Sequence, residues 1–320
     1  MPDTARSNLR GTILALLAFA TFSTHDVVVK SLGGFYSAPQ ILFFSVLLSF
    51  PLATLMLVRD RTAGNLRPVH PWWSALRTAA SVATGLSAFY AFSVLPMAQV
   101  YAILFAAPLL VTILSIPILG ERVGRHRWFA IALGMLGVLV VLRPGVTPIG
   151  AGHLAALVAA VGSATASVVV RKIGNDERSV VLMLYPMMAS VVLMGLIMPV
   201  SYTPMPVTHL GMLAVISALS FVAGLLLIGA YRSGDAAVVA PMQYSQILWA
   251  VLYGALFFGE SPGIFTLIGA GLVIASGVYI VLRESIRGPS RNQPVQKMRS
   301  RQDSWLSMRA VARATRRPVV

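Results

Sequence analysis

The sequence predicts an all-α transmembrane protein of ten helices, arranged as two inverted five-helix repeats. Of its 320 residues 57% are hydrophobic and 11% charged, whereas soluble domains carry charge at about a quarter of their positions. The apolar residues fall in runs long enough to cross a hydrocarbon layer of about 30 Å, and without period-two alternation they read as helices rather than barrel strands. The chain also repeats itself. AFSVLPMAQVYAILFAAPLLVTILSIPILGE (Ala91 to Glu121) returns in diluted form as AYRSGDAAVVAPMQYSQILWAVLYGALFFGE (Ala230 to Glu260), 139 residues later. Such self-similarity at a fixed period decides the architecture before any local reading.

Two further pairs extend the repeat. Gly11 to Lys30 lies over Gly152 to Arg171 at an offset of 141, and Val138 to Arg143 lies over Val278 to Arg283 at an offset of 140. In order, the spans are expected near 11–30, 38–58, 73–95, 97–119 and 126–142, then 151–171, 179–199, 209–231, 235–258 and 262–282. Five spans per half turn the second half upside down relative to the first, the plan of secondary transporters. No small-residue cleavage site follows the first run, so it is expected to stay as a helix. The expected units are a short N-terminal segment (1–10), a first repeat (11–145), a second repeat (151–284) and a basic tail (285–320), solvated and without fixed structure.

Orientation follows from the basic residues. With the N-terminus in the cytoplasm, Arg59, Arg61, Arg67, Arg77, Arg122, Arg125, Arg127, Arg171, Lys172, Arg178 and Arg232 lie inside, and Lys30 and Arg143 outside. The positive-inside rule then puts both termini in the cytoplasm. The tail carries nine Lys and Arg against Asp303, so it is expected to be drawn to anionic membrane lipid or simply solvated there, not to bind nucleic acid. Gly134 and Gly137 on the fifth span, and Gly269, Gly271 and Gly277 on the tenth, permit close helix approach.

Ionisable groups inside a span are costly and default to a functional reading. Asp26 lies roughly 22 Å along a helix that needs some 30 Å to cross, with His25 beside it. Their counterparts in the second half are Ser167 and Ala166, so the pair is unique to the first. Two readings remain open: a binding or proton-coupling site at Asp26, or an i, i+4 ion pair of Asp26 with Lys30. A second group mixes aromatics and amides: Tyr90 ends the third span, Gln99 and Tyr101 begin the fourth, and Gln243, Tyr244, Gln246 and Trp249 occupy the matching part of the ninth. A few polar groups among aromatics suit a pocket at a repeat interface, and an amide facing lipid would lack a partner.

Other charges read as structural. Glu121 and Glu260 are expected to be turn and cap residues, Lys30 and Arg171 snorkelling ends, and Arg232 with Asp235 a solvated pair. Cysteine is absent, His70, His126, His153 and His209 lack metal spacing, and no phosphate-cradling Gly loop occurs, so no metal, cofactor or ATP hydrolysis is expected. An enzyme acting on lipid-linked substrates would need convergent acid and base groups, whereas neighbours on a helix project about 100° apart.

These residues carry a family likeness. The ten spans in two halves, the Gly-Glu closing the fourth and ninth, PMAQVYAILFAAP from Pro96 to Pro108, and the Gly-rich fifth span ending in LRPG resemble the EamA-type branch of the drug/metabolite transporter superfamily. The resemblance covers about residues 9–284. Within it, HDVVVK of the first span and the run from Pro96 to Gly145 are most similar to bacterial inner-membrane uptake carriers for riboflavin and for S-adenosylmethionine. It implies a small-molecule substrate held in a central cavity that opens alternately to either side. It would place His25, Asp26, Tyr90, Gln99, Tyr101, Gln243, Tyr244 and Trp249 near that cavity. Stacking aromatics with glutamine amides suit a planar, uncharged, amide-edged solute such as riboflavin.

Overall fold

The computed structural model describes residues 2–59, 66–121, 123–146, 148–174 and 176–286. The described chain is helical: α1 (Pro2–Gly33), α2 (Ala38–Arg59), α3 (Pro71–Val94), α4 (Met97–Leu104), α5 (Ala107–Leu119), α6 (Arg125–Leu142), α7 (Ala151–Ile173), α8 (Ser179–Ser201), α9 (Val207–Ser233), α10 (Ala236–Val239), a 3-10 segment (Ala240–Ser245), α11 (Gln246–Phe258) and α12 (Ile264–Ile286). These make ten crossings, because α4 and α5 form one and α10, the 3-10 segment and α11 form another. Seven are long and apolar enough to cross a membrane by length and composition alone. The other three are α2, α3 with its buried Arg77, and the broken ninth crossing.

The fourth and ninth crossings end alike. Gly120 (φ 70°) and Gly259 (φ 63°) adopt the left-handed conformation that side chains resist. The next residue closes the same wide turn in both: Glu121 N–H donates to Ser115 (3.3 Å) and Glu260 N–H to Gly254 (2.9 Å). At the third-to-fourth corner the extended Leu95 precedes Pro96, which cannot continue a helix and opens the next one. The chain therefore reverses here in a short turn.

The repeats interlock through exchanged helix pairs. α1 packs along α9, and α3 along α7. Small residues make both contacts possible: a Cβ on Gly11 would lie 2.7 Å from the Cα of Gly234, and one on Gly152 would lie 2.5 Å from Val94. α6 and α12 pair across the pseudo-symmetry axis, where a Cβ on Gly137 would meet the Gly269 carbonyl at 2.7 Å and the reverse approach is 2.5 Å. Gly134, Gly137 and Gly269 therefore act in packing, whereas Gly271 faces open space and Gly277 has another role. A Cβ there would sit 1.6 Å from the Tyr244 hydroxyl, so this glycine makes room for a ring.

Arg77 is fully buried in α3 and donates to the Leu182 carbonyl of α8. Pro186 explains the acceptor: lacking an N–H, it leaves the carbonyl four residues earlier without its helical partner. Arg77 thus satisfies a proline-freed backbone group. Ser217 links α9 to α2 by donating to the Ser45 carbonyl at 2.7 Å. The tail proposed for lipid contact, from 287 onward, lies outside the described residues.

Candidate functional site

The centre of the molecule is where both broken crossings change course. α4 ends at Leu104, and α5 restarts at Ala107 with Pro108 in its first turn; the 3-10 segment begins with Ala240 and Pro241. Proline in a first helical turn loses no needed hydrogen bond, which is why the chain can restart a helix in mid-membrane at Pro108. Broken helices at mid-depth, lining a cavity between repeats, are where secondary carriers hold their solutes.

Aromatic rings form a column through this region. Phe92 meets Tyr101 edge-on (5.4 Å between centroids), Tyr101 lies 5.9 Å from Phe105, and Phe105 meets Tyr244 edge-on at 5.1 Å. The last contact joins the two broken crossings. Gln243 precedes Tyr244 and Gln246 follows it by two residues; both are only partly buried, and Trp249 follows one turn later. Trp249 stacks obliquely on Tyr253 at 5.7 Å. Tyr253 in turn accepts from the Thr24 hydroxyl of α1 at 3.2 Å.

Beside the column sits a closed polar network. Asp26 is 4% exposed and His25 8%. His25 Nδ1 lies 2.8 Å from Asp26 Oδ1, and the Tyr101 hydroxyl donates to Asp26 Oδ2. With the carboxylate ionised it can only accept, so Nδ1 carries the imidazole proton. Ser23 adds a bond to the Tyr101 oxygen at 3.4 Å, and Phe89 packs edge-on to the His25 ring at 6.0 Å. α1 and α4 are thereby tied through one acid that has donors on both oxygens.

Several expectations change here. Asp26 does not pair with Lys30: Lys30 turns to Glu260 at 3.0 Å, leaving Asp26 to Tyr101 and His25. His25 and Asp26 do not point apart, because the imidazole folds back onto its neighbour. Glu260 caps α4 by accepting from Met97 N–H at 2.9 Å, but it is also half of an ion pair, and Glu121 pairs with Arg171 at 2.5 Å. Lys30 and Arg171 are therefore not free snorkelling ends. Asp235 engages Asn8 rather than standing with Arg232 as a solvated pair: Asn8 Nδ2 donates to its carboxylate at 3.0 Å, and its own N–H donates back at 2.8 Å.

The structure brings His25, Asp26 and Tyr101 together, and Gln243, Tyr244, Gln246 and Trp249 in a second group linked to them through Phe105. It does not bring in the other two candidates. Tyr90 is 39% exposed on α3, although Phe89 and Phe92 beside it are buried. Gln99 meets His153 Nε2 at 2.8 Å at the start of α7. The contact is made by the Gln99 side-chain amide nitrogen, and His153 Nδ1 lies 3.2 Å from the Gly150 N–H. Sequence reasoning missed Ser23, Thr24 and Tyr253. Only Tyr253 had a signal, four residues beyond Trp249 on the same helix face. Among the described residues no cluster of three or more metal-ligating side chains forms.

Ten crossings in two interlocked repeats, with aromatic and amide groups at two helix breaks, define a membrane carrier rather than an enzyme. The chain belongs to the EamA-like transporter family, which matches residues 9–143 and 150–283, once in each half. It is a multi-pass membrane transporter of the drug/metabolite superfamily, with a small-molecule substrate. Similar curated proteins include a riboflavin transporter of Rhizobium johnstonii, 28% identical over 286 residues (87% of this chain and 92% of that protein). An S-adenosylmethionine uptake transporter of Rickettsia prowazekii is 24% identical over 294 residues (92% and 99%). The pseudopaline exporter CntI of Pseudomonas aeruginosa is 26% identical over 272 residues (84% and 95%).

Proposed function

We propose that this protein is a riboflavin uptake carrier of the bacterial inner membrane, working by alternating access with both termini in the cytoplasm. The observation that carries the reading is the aromatic column from Phe92 to Tyr244, flanked by Gln243 and Gln246, with its one neighbouring carboxylate already satisfied. Flat aromatic faces hold a flat ring system, and glutamine amides both donate and accept along a pyrimidinedione edge. S-adenosylmethionine needs counter-charges for a sulfonium, an ammonium and a carboxylate. Asp26 has a donor on each oxygen, and Lys30 and Arg171 are each held by a glutamate. A charged solute would have to break these pairs, at a desolvation cost of several kcal/mol per ion.

Asp26 is the coupling residue in this reading. As a carboxylate it accepts from both His25 and Tyr101; once protonated it has no charge, and both bonds weaken to those of a neutral acceptor or donor. Protonation therefore loosens α1 from α4 beside the solute. Rescue of a riboflavin-auxotrophic bacterium at low external riboflavin tests the assignment. Growth restored by the wild type and not by Tyr244→Ala supports it; rescue of a methionine-adenosylation defect instead assigns the fold to the other solute.

A further inference from the structure

The two ion pairs occupy matching places in the two repeats, at opposite ends of the bundle, yet their surroundings differ. At the end away from the termini, Lys30 binds Glu260 (3.0 Å) and donates to the carbonyls of Leu95 (2.6 Å) and Phe92 (3.2 Å), while the second oxygen of Glu260 takes Met97 N–H (2.9 Å). One hub thus ties α1, the end of α3, the start of α4 and the turn before α12. At the end that carries the termini, Arg171 binds Glu121 at 2.5 Å and Lys172 donates to the Ile118 carbonyl at 2.7 Å. There the remaining groups, Glu121 Oε2 and Arg171 Nη1, are buried without a hydrogen-bond partner among the described residues.

The repeat says what those groups lack. The counterparts of Phe92, Leu95 and Met97, shifted by 139, are Tyr231, Gly234 and Ala236. The wider packing agrees. α1 packs on α3 and α4 on α11, whereas the counterpart contacts, α7 with α9 and α5 with the 3-10 segment, are absent or marginal among the described residues. A Cβ on Gly33 would lie 2.3 Å from Ser93 of α3; around its counterpart Gly174, the nearest atoms are those of Val170 in its own helix.

We infer that Lys30–Glu260 and Arg171–Glu121 are paired latches of which one engages its third and fourth partners at a time, and that this structure is the state closed at the Lys30 end and open toward the termini. Because α1 moves with α9 and α3 with α7, rocking one pair against the other separates Lys30 from the end of α3 as it brings Arg171 to the end of α9. In the opposite state Arg171 takes the carbonyls at Tyr231 and Gly234, and Glu121 takes Ala236 N–H. Rigid-body motion of packed pairs and two discrete packings are what such switching requires. The inference rests on the transporter reading but on no particular solute.

The chain has no cysteine, so pairs of spin labels can be placed without removing any. One pair, Gly34→Cys with Val94→Cys, reports the Lys30 end; Asp176→Cys with Arg232→Cys reports the other. In nanodiscs without solute, the otherwise unmodified protein is expected to show a short first distance and a long second one. Glu260→Gln is expected to lengthen the first and shorten the second, moving the ratio of states by about tenfold or more, the size expected from charge-assisted bonds. Glu121→Gln is expected to deplete whatever fraction is closed at the terminal end. Gly33→Leu, which leaves every charge in place, is expected to act like Glu260→Gln through steric exclusion alone. Shifts of Glu260→Gln and Glu121→Gln in the same direction, or an unchanged first distance in Gly33→Leu, would overturn the latch. Failure of riboflavin transport would not move these distances, so the two readings fail separately.

Discussion

Replacing Asp26 by Asn is expected to uncouple transport from the proton gradient while sparing exchange. The acid is 4% exposed, and its oxygens accept from the His25 imidazole and the Tyr101 hydroxyl. Hydrogen bonds to a charged acceptor contribute about 1.5–3 kcal/mol each, against about 0.5–1.5 for neutral pairs. Asparagine keeps one acceptor oxygen and presents an amide N–H to the other donor, so one bond weakens and one is lost. The expected cost is about 2–4 kcal/mol of attachment between α1 and α4, close to the effect assigned to protonation but made permanent. In proteoliposomes, Asp26→Asn should no longer accumulate riboflavin when an inward proton gradient is imposed, yet should still exchange labelled for unlabelled solute at equal concentrations. Accumulation that stays gradient-driven and pH-sensitive in the variant would refute the coupling role of this residue.

Other perturbations test the packing and the column. Gly277→Ala would force the Tyr244 ring aside, at a cost of about 1–3 kcal/mol for overpacking; thermal unfolding in detergent should fall, and adding Tyr244→Leu should restore the midpoint but not transport. Gly137→Val would drive a side chain into the Gly269 carbonyl, 2.7 Å from where its Cβ would lie, so a lower unfolding temperature of the same order is expected. Arg77→Met would leave the Leu182 carbonyl, freed by Pro186, buried without a donor, and a loss of about 1–3 kcal/mol should appear in the same assay. Gln243→Ala with Gln246→Ala should raise the KM for riboflavin while leaving the unfolding temperature within a degree or two, since both amides are only partly buried.

The span order was legible because lipid imposes a length and an apolar composition that no soluble fold shares, and the repeat because Ala91–Glu121 and Ala230–Glu260 kept their length and their closing Gly-Glu. The buried acid was legible for the same reason: Asp26 stands out where charge is costly. Its partners were not. Tyr101 lies 75 residues away, and nothing in the spacing separates it from Tyr90, which projects away from the network. The ion pairs were missed because Lys30 and Glu260 belong to opposite repeats, so each reads locally as a helix end. The breaks in the fourth and ninth crossings had a signal, Pro108 and Pro241, but proline within an apolar run predicts a kink as readily as a restart. The burial of Arg77 was not legible for a related reason: its hydrogen-bond acceptor is free because Pro186 stands four residues further along α8.

Solute counterflow tests the central claim most directly. Purified protein in proteoliposomes loaded with unlabelled riboflavin and diluted into a trace of the labelled compound should draw label inward above the outside level and then release it. Tyr244→Ala should abolish this transient. Absence of a riboflavin transient alongside a clear one with S-adenosylmethionine, from the same vesicles, would contradict the account of an aromatic and amide cavity built for a flat, uncharged solute.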